Sequence, residues 1–293
     1  MYTQILFPTD GSEGSAAAFD HVLEIADAHG ATVHVLNVAD TTKDSVLRRQ
    51  GETVDTLVQE GETIVSDAED RAQQRGIETV AEVRQGVPAN TIVDYAASHD
   101  VDLVVMPTHG RQGLERVLLG STTERVIRQA ETPTLTIRPD TDAIDYPYRS
   151  VLVPTDGSES ARDALTIGVD VATTEGAALH LLSVVTTATL GVDVRNEIQL
   201  TALEESATQI LEDASAFATD AGVEPVDEAI EFGPSIPREI RTYIDDHDID
   251  LVVVGTHGRT GLDRYLLGSV TDQLVRTSPV PVLTVRGDRS DAE

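Results

Sequence analysis

The fold is decided by one motif that occurs twice, as FPTDGSE at residues 7–13 and as VPTDGSE at residues 153–159, 146 residues later. The pair VHVLNV at 33–38 and LHLLSV at 179–184 has the same offset. A repeat of this length is the size of a domain, which indicates a tandem duplication and not a solenoid of short units. The sequence therefore predicts two similar domains.

A longer match links the later parts of the two halves. SHDVDLVVMPTHGRQGLERVLLGST at 98–122 corresponds to DHDIDLVVVGTHGRTGLDRYLLGSV at 246–270, now 148 residues later. Between the halves, PDTDAIDYPY combines prolines with acidic residues, as linkers commonly do. We expect domains at residues 1–139 and 149–288, a linker at 140–148 and an acidic tail at 289–293.

Each half alternates short apolar runs with longer amphipathic ones. In the first half this pattern predicts strands at 4–8, 32–38, 77–84, 102–106 and 134–138, and helices at 15–29, 53–75, 90–98 and 122–130. Gly30 and Gly76 stand where helix-ending glycines belong. Strands separated by helices imply right-handed crossovers and a parallel sheet. We predict an α/β fold of two tandem doubly wound, Rossmann-like domains, each with a five-stranded parallel sheet.

Composition narrows the possible functions. The 293 residues include 51 acidic and 21 basic side chains, for a net charge of −30, and no cysteine. A disulfide-stapled fold and a cysteine-ligated metal centre are therefore excluded, and duplex nucleic acid is disfavoured as a partner. Only Lys43 is a lysine among the basic residues. An acid-rich, lysine-poor chain is typical of a halophilic protein, because molar salt screens the repulsion between carboxylates over about 3 Å.

Hydropathy indicates a cytoplasmic protein. No apolar run approaches the roughly 20 residues that span a bilayer, and MYTQILFPTDG at 1–11 lacks the basic region and apolar core of a signal peptide. We therefore expect neither a membrane nor a nucleic-acid partner.

Doubly wound sheets bind ligands beyond the carboxyl ends of their strands. Asp10 and Asp156 follow the first strand of each half, where an aspartate can accept a hydrogen bond from a ribose hydroxyl. Ser121 and Ser269 open a later helix, whose free N–H groups and dipole favour an anion. Ribose on one side and phosphate on the other predict a nucleotide.

Other phosphate-binding and catalytic patterns do not occur. The sequence has no Gly-Lys pair and no G-x-G, which excludes the lysine-bearing P-loop and the dinucleotide fingerprint. It also has no G-x-S-x-G and no H-E-x-x-H, the patterns of the nucleophile elbow and of zinc proteases. We name no catalytic residue and no protein metal site.

The residues GTHGRTGLDRYLLGS at 255–269 fit the pattern G-x-x-G, nine residues, then G-S/T. With PTDGS and the order of elements, the chain closely resembles the ATP-binding branch of the universal stress protein family, over nearly its whole length and twice. With the composition, it resembles a haloarchaeal tandem member. The resemblance implies an adenine nucleotide alpha hydrolase-like fold and a stress-response regulatory protein that binds ATP or AMP with Mg²⁺ and is not a dedicated enzyme.

The resemblance also implies roles for individual residues. In the second half, Asp156 would bind ribose, Val184 adenine, and Gly255, Gly258, Gly268, Ser269 and Thr271 the phosphates, with backbone groups of Pro154, Thr155, Val254 and Val270 lining the pocket. The corresponding residues of the first half are Pro8, Thr9, Asp10, Val38, Met106, Gly110, Gly120, Ser121, Thr122 and Thr123.

One position departs from the family pattern. Pro107 stands where the second half has Gly255. Proline fixes φ and has no N–H donor, so the first site is weakened if the glycine needs either freedom. It is tolerated if only the carbonyl faces the ligand. We expect the second site to be the stronger of the two.

The histidines favour structural roles. His109 and His257 lie inside the glycine loops, where we expect their rings to bond to neighbouring backbone. His34 and His180 lie within predicted strands, and His99 and His247 end predicted helices. We expect packing or capping roles for these four residues. Arg111 and Arg259 can reach a phosphate or pair with acidic residues of the next helix; the sequence leaves both open.

Three functional classes stay open. The first is a nucleotide-dependent switch or partner-binding module, the second a slow ATPase or phosphoryl or nucleotidyl transferase, and the third a ligand-free interaction module. The resemblance further implies dimerisation through the last strand. We hypothesise that the two repeats form a pseudo-dimer through residues 134–138 and 282–286, and that two chains associate further with each other or with protein partners.

Overall fold

The computed structural model describes residues 2–40, 52–109, 119–139, 144–187, 195–258 and 267–287. The chain divides into two compact units, Met1–Tyr146 and Pro147–Glu293. Residues 140–143 of the predicted linker and the predicted tail at 289–293 lie outside the described residues.

The first unit alternates strand and helix from end to end. Its elements are β1 (Gln4–Pro8), α1 (Glu13–His29), β2 (Thr32–Asp40), α2 (Glu52–Gln74), β3 (Thr79–Gly86), α3 (Pro88–Ser98), β4 (Leu103–Pro107), α4 (Ser121–Gln129) and β5 (Thr134–Ile137). Each predicted element is present, with bounds that differ by no more than two residues.

The second unit repeats this order. Its elements are β6 (Ser150–Pro154), α5 (Glu159–Glu175), β7 (Ala178–Thr186), α6 (Arg195–Asp220), β8 (Val226–Gly233), α7 (Ile236–Asp246), β9 (Leu251–Gly255), α8 (Ser269–Thr277) and β10 (Val282–Val285).

Both sheets have the predicted parallel, doubly wound topology. In the first unit the strands lie in the order β3-β2-β1-β4-β5, and in the second in the equivalent order β8-β7-β6-β9-β10. Every strand pair within a unit is parallel. The prediction of two tandem α/β domains with five-stranded parallel sheets is confirmed.

Local capping sets the ends of the helix that follows the first strand. Ser12 accepts a hydrogen bond from the backbone N–H of Ser15 at 3.2 Å, so α1 begins at Glu13, two residues before its predicted start. Its last turn is closed by Gly30 at φ 62°, a left-handed conformation that favours glycine. Ser158 and Gly176 cap α5 in the same way.

The strand β3 begins two residues later than predicted, because the chain first closes α2. Gly76 has φ 74°, and the N–H of Ile77 donates to the carbonyl of Ala72 at 3.1 Å. Ile77 therefore belongs to the helix-ending turn, and pairing with β2 starts at Thr79.

Burial identifies the central strands. All five residues of β4 and of β9 are buried, as are four of the five residues of β1. One core of the first unit joins β1, β2 and β4 to α3 and α4 through Leu6, Leu36, Tyr95, Val104 and Val126. The edge strand β3 is half-buried along most of its length, as expected with a partner strand on one side only.

Within the described residues, no helix combines the length and apolar character needed to cross a membrane.

Candidate functional site

The candidate site lies where the winding of each sheet reverses. From β1 the chain moves to β2 and β3 on one side, then returns to β4 on the other. The loops after β1 and β4 therefore open next to each other, which is where doubly wound folds bind ligands. In the second unit the equivalent loops follow β6 and β9.

The loop after the first strand holds an aspartate in a tight turn. In the second unit, Oδ1 of Asp156 accepts from the N–H of Ser158 at 3.0 Å, and Oγ1 of Thr155 accepts from the N–H of Gly157 at 3.2 Å. Gly157 has φ 76°, so this turn needs its glycine. Asp10 makes the same bond to Ser12, also at 3.0 Å.

The second loop comes up against this aspartate. A Cβ atom added to Gly258 would lie 3.2 Å from Oδ2 of Asp156. Asp156, which we predicted to bind ribose, and Gly258, in the loop predicted to bind phosphate, are therefore neighbours, although they are 102 residues apart in the sequence. In the first unit the equivalent glycine, Gly110, lies outside the described residues, as do Arg111 and Arg259.

A short backbone bond closes the phosphate loop. The N–H of Gly268 donates to the carbonyl of Thr256 at 2.8 Å, and Gly120 donates to Thr108 at the same distance. A Cβ on Gly268 would lie 3.1 Å from that carbonyl oxygen, and one on Gly120 3.2 Å from the equivalent oxygen. These glycines permit a close passage of two backbone segments, and their own N–H groups are used inside the loop.

The N–H groups presented to a ligand are therefore those that come after the glycines. In α8 they belong to Ser269, Val270 and Thr271, because the first helical bond goes from Asp272 to the carbonyl of Gly268. Within the described residues, Gly268 provides no side-chain cap for α8. Such a helix start attracts an anion.

The first unit has the same arrangement. The helix α4 begins after Gly120, which likewise provides no side-chain cap within the described residues. Its first-turn N–H groups are those of Ser121, Thr122 and Thr123.

Two threonines that we predicted to bind phosphate each make a hydrogen bond within the protein. The buried hydroxyl of Thr271 donates to the carbonyl of Gly255 at 2.7 Å, and that of Thr123 donates to the carbonyl of Pro107 at 3.0 Å. Each threonine fastens a helix start to a strand end. The hydroxyl hydrogen is thereby used, which leaves the backbone N–H as the donor that can face a phosphate.

The predicted adenine side lies at the end of the second strand. Val38 and Val184 are half-buried, two residues beyond the points where Leu36 and Leu182 pair with β1 and β6. The backbone between the strands is held by a bond from the N–H of Thr155 to the carbonyl of Leu182 at 2.8 Å. Thr9 makes the matching bond to Leu36 at 2.9 Å, beside Pro8 as Thr155 lies beside Pro154.

Met106 and Val254, at the end of the fourth strand of each unit, were predicted to line the nucleotide pocket. Their side chains are buried. Met106 is 4% exposed and Val254 6% exposed, so only their main-chain groups can take part in a site.

The side chains next to Val38 and Val184 differ in charge. In the strand register Val38 pairs with Arg84, and Val184 with Glu231. The guanidinium of Arg84 bonds to Glu82 at 2.9 Å.

The loop histidines are held by threonines. Nδ1 of His109 bonds to Oγ1 of Thr108 at 2.8 Å, and Nδ1 of His257 to Oγ1 of Thr256 at 3.0 Å. We expected bonds from these rings to neighbouring backbone; the structure shows a bond from each ring to the hydroxyl of the preceding residue. The structural role that we expected for these rings agrees with this geometry.

Four of the remaining histidines form one cluster in each unit, away from the loops. His34 bonds to the hydroxyl of Tyr95 at 2.9 Å, and the ring of His99 stacks on Tyr95 at 3.9 Å. His180 bonds in the same way to Tyr243 at 3.1 Å. These rings therefore have the packing roles that we predicted.

Burial shifts the pKa values of these clusters. It lowers the pKa of His34 and of His180 and raises that of Tyr243. It also raises the pKa of Tyr95 to about 12. His99 and His247 are the C-cap residues of α3 and α7, which agrees with the capping role that the sequence predicted as one possibility.

The departure at Pro107 has a packing explanation. Gly255 does not have a left-handed φ, so conformational freedom is not the reason for its glycine. A Cβ on Gly255 would instead collide with Ser160 in the first turn of α5, whose carbonyl carbon would lie only 2.7 Å away. Pro107 carries such a Cβ, and the residue equivalent to Ser160 in the first unit is Gly14.

The sequence did not predict that Ser160 is the residue packed against Gly255. Ser160 is one serine in the first turn of a helix, a position without a distinctive pattern. Comparison of the two halves position by position carries the signal, because serine and glycine exchange at 14 and 160 while proline and glycine exchange at 107 and 255.

Comparison with known proteins assigns both halves to one family. The model of the universal stress protein family matches residues 1–138 and again residues 147–286. A universal stress protein of Methanocaldococcus jannaschii is 38% identical over 141 residues, which are 47% of this chain and 83% of that protein.

Several proteins match over nearly the full chain. A universal stress protein of Mycolicibacterium smegmatis is 27% identical over 296 residues, covering 96% of each chain. The crystal structure of a universal stress protein from Archaeoglobus fulgidus superposes with a TM-score of 0.74 at 23% identity, covering 97% of this chain and 98% of that one. That structural likeness extends to the fold of both repeats.

Proposed function

Because the chain belongs to the universal stress protein family, we propose that it is a stress-response regulatory protein that binds an adenine nucleotide, ATP or AMP. The proposed principal site lies in the second repeat, between Asp156 and the start of α8. The first repeat provides a weaker site between Asp10 and the start of α4.

One observation carries this proposal. Oδ2 of Asp156 lies against the Cα of Gly258, 3.2 Å from where a Cβ would stand. An aspartate that can accept from ribose hydroxyls is thus adjacent to a loop that leads to the first-turn N–H groups of α8, for which, within the described residues, Gly268 provides no side-chain cap. A ligand that fills both must carry a sugar and an anionic group a few ångströms apart, as a nucleotide does.

Backbone amides supply the proposed phosphate binding. The N–H groups of Ser269, Val270 and Thr271 point along the axis of α8 and carry the positive end of its dipole. A neutral cradle of this kind suits a chain with a net charge of −30, because it needs no cluster of basic side chains. In this proposal the amide groups bind the phosphate groups of the nucleotide.

Magnesium, if bound, is expected to arrive with the nucleotide. Within the described parts of the chain no group of three or more histidine, aspartate or glutamate side chains could hold a metal ion. Mg²⁺ commonly binds through substrate phosphates and water with one or two protein carboxylates. The site fits that mode, with the phosphates as the main ligands and charge neutralisation as the ion's contribution.

We assign the site to binding and switching, with slow hydrolysis at most. Rapid phosphoryl transfer needs a residue that orients the attacking group at the transferred phosphate. The titratable ring inside the loop, His257, bonds through Nδ1 to Thr256, a role that holds the loop. Nucleotide occupancy would then set the loop conformation that a protein partner recognises.

The test is to identify what the purified protein retains. The chain is purified in molar KCl with Mg²⁺ and denatured, and the extract is analysed by mass spectrometry. We expect an adenine nucleotide in amounts comparable to the protein, and a strong reduction in a Gly268→Val variant. An extract without any nucleotide, from protein that also fails to take up added ATP or AMP, would favour the ligand-free interaction module.

Habitat and association are proposed on the sequence alone. We propose a halophilic protein of the cytoplasm, whose melting temperature rises with added KCl because salt screens its carboxylates. Indifference to salt would contradict this. Pairing through the last strands stays a prediction, and sedimentation in molar KCl distinguishes a 31.4 kDa monomer from a dimer.

A further inference from the structure

The first turn of α5 touches the proposed phosphate loop of the second repeat. Ser160 lies in this turn, two residues after the helix-capping Ser158. Its hydroxyl and carbonyl oxygens lie so near the Cα of Gly255 that a Cβ there could not be accommodated without movement. The end of β9 and the start of α5 are therefore packed backbone to backbone.

A hydrogen bond joins the same serine to the loop itself. Oγ of Ser160 accepts from the backbone N–H of His257 at 3.3 Å, across 97 residues of sequence. His257 is next to Gly258, which faces the carboxylate of Asp156. The hydroxyl of Ser160 thus holds the loop at the residue before Gly258, the glycine that lies against Asp156.

The first repeat cannot make this bond. Gly14 replaces the serine and has no hydroxyl, and Pro107 replaces Gly255. The space above Gly14 is taken by Pro139, whose Cγ would lie 2.6 Å from an added Cβ. In the second repeat the residue equivalent to Pro139 is Gly287, so three positions change together.

We propose that Ser160 is a positioning residue for nucleotide binding in the second repeat, and that its absence from the first repeat makes the two sites unequal. The proposal rests on the proposed function. Ser160 acts through the loop and does not touch the ligand. By holding the N–H of His257 it fixes the loop before binding, so less conformational freedom is lost when the ligand arrives.

The first test is Ser160→Ala, which removes the hydroxyl and keeps the Cβ. The control is Ser278→Ala: Ser278 is buried, and its hydroxyl donates to the carbonyl of Val280 at 2.8 Å and accepts from the N–H of Val280 at 3.2 Å, in the turn at the other end of α8. Both variants remove a serine hydroxyl that is hydrogen-bonded within the same unit, and the control removes at least as many hydrogen bonds as Ser160→Ala. Only the first is expected to change the loop.

Two readouts separate loop order from binding. Hydrogen exchange without nucleotide, followed in peptides that cover residues 250–258, reports the N–H of His257. Calorimetric titration with MgATP reports affinity. For Ser160→Ala we expect faster exchange in these peptides and a roughly threefold to tenfold weaker tight site, the range of one hydrogen bond. Ser278→Ala should match the wild type in both.

The outcomes distinguish this proposal from the proposed function. Unchanged exchange in Ser160→Ala, or faster exchange with unchanged affinity, overturns the positioning role while nucleotide binding stands. An equal loss of affinity in Ser278→Ala overturns it too, because the effect would then be general destabilisation. A wild-type protein that binds no adenine nucleotide overturns the proposed function, and the positioning role with it.

A reciprocal exchange provides a gain-of-function test. The first repeat receives the residues of the second through Gly14→Ser, Pro107→Gly and Pro139→Gly together. This change opens the space above residue 14 and supplies the hydroxyl. We expect the affinity of the weaker site to rise by about the same factor that Ser160→Ala removes from the stronger one. An unchanged or lower affinity in a folded variant counts against the proposal.

Discussion

The two repeats have the same turns but different side chains packed behind them. In each repeat the aspartate accepts a hydrogen bond from the backbone N–H two residues later, Asp10 from Ser12 and Asp156 from Ser158, both at 3.0 Å. The loop-closing bonds of Gly120 and Gly268 are both 2.8 Å long. These two turns are therefore retained in each copy, whereas Pro107 and Gly255, and the residues packed behind them, differ.

The differences between the repeats occur at pairs of residues that touch each other. Where the second repeat has Gly255 against Ser160, the first has Pro107 and Gly14. A change at one contact is accompanied by a change at the residue that it touches, as close packing requires. An isolated departure from a motif, such as Pro107, is therefore best interpreted together with its spatial partner.

The largest expected effect comes from closing one site at a time. Gly268→Val places a branched side chain against the carbonyl of Thr256, which should displace the start of α8 and weaken the tight site about a hundredfold or more. That factor corresponds to two charge-assisted hydrogen bonds of about 1.5 kcal/mol each. Gly120→Val is the matched variant and should remove only the weaker site. Equilibrium dialysis with labelled ATP counts both, and equal losses would contradict the inequality of the repeats.

The packing exchange predicts unequal tolerance of a Cβ. Gly255→Ala should lower the free energy of unfolding of the second unit by roughly 1–3 kcal/mol, because backbone atoms of Ser160 must move. Pro107→Ala keeps a Cβ where one already exists and should cost less than about 1 kcal/mol, mainly through the unfolded chain. Denaturant unfolding measures both. A larger cost at 107 would show that this packing does not explain the exchange.

Acid should act more strongly on the first unit. His21 is 4% exposed, and burial lowers its pKa to about 4; Glu24 lies 3.4 Å away and Tyr146 packs edge-on against the ring. The second unit has Ile167 at this position. The unfolded imidazole takes up a proton near pH 6.5, before the folded one does. Its contribution is therefore complete above pH 6.5 and is lost as the pH falls toward 4.

Between pH 7 and 5 this loss amounts to about 2 kcal/mol of unfolding free energy. The range stays above the isoelectric point of about 4.4, where the protein is expected to be least soluble. His21→Ile copies the second unit and should remove most of this pH dependence, measured by hydrogen exchange in peptides of α1 and α5. An unchanged pH dependence in the variant would assign it to other groups.

The smallest expected effect concerns a surface network that only the first repeat has. Asp20 pairs with Arg71 at 2.8 Å and with Arg75 at 3.3 Å, all of them exposed by a third or more. The equivalents in the second repeat include Thr166 and Phe217. Asp20→Thr should change the free energy of unfolding by less than about 0.5 kcal/mol, and by less still in molar KCl. A cost above 1 kcal/mol in thermal unfolding would show that this network matters.

The sequence predicted the fold well because its signals are local and occur twice. Apolar strands, glycines such as Gly30 after helices, and a domain-sized repeat all indicate one topology. The small errors have local causes as well. The cap bond of Ser12 starts α1 early, and the bond from Ile77 to Ala72 delays β3.

The candidate site was predictable in outline and not in its supporting contacts. The positions of Asp156 and Ser269 follow from the topology rule for strand ends. The bond between Ser160 and His257 does not, because it joins residues 97 apart and depends on how closely a helix approaches a strand. The hydrogen bond from the Thr271 hydroxyl to the carbonyl of Gly255 could not be predicted for the same reason.

The most direct test is a calorimetric titration of MgATP into the intact chain in molar KCl. We expect saturable binding with one tight site per chain, lost in Gly268→Val and kept in Gly120→Val, and a second, weaker site with the opposite response. If neither repeat takes up ATP or AMP under these conditions, the proposed role of the backbone amides is contradicted.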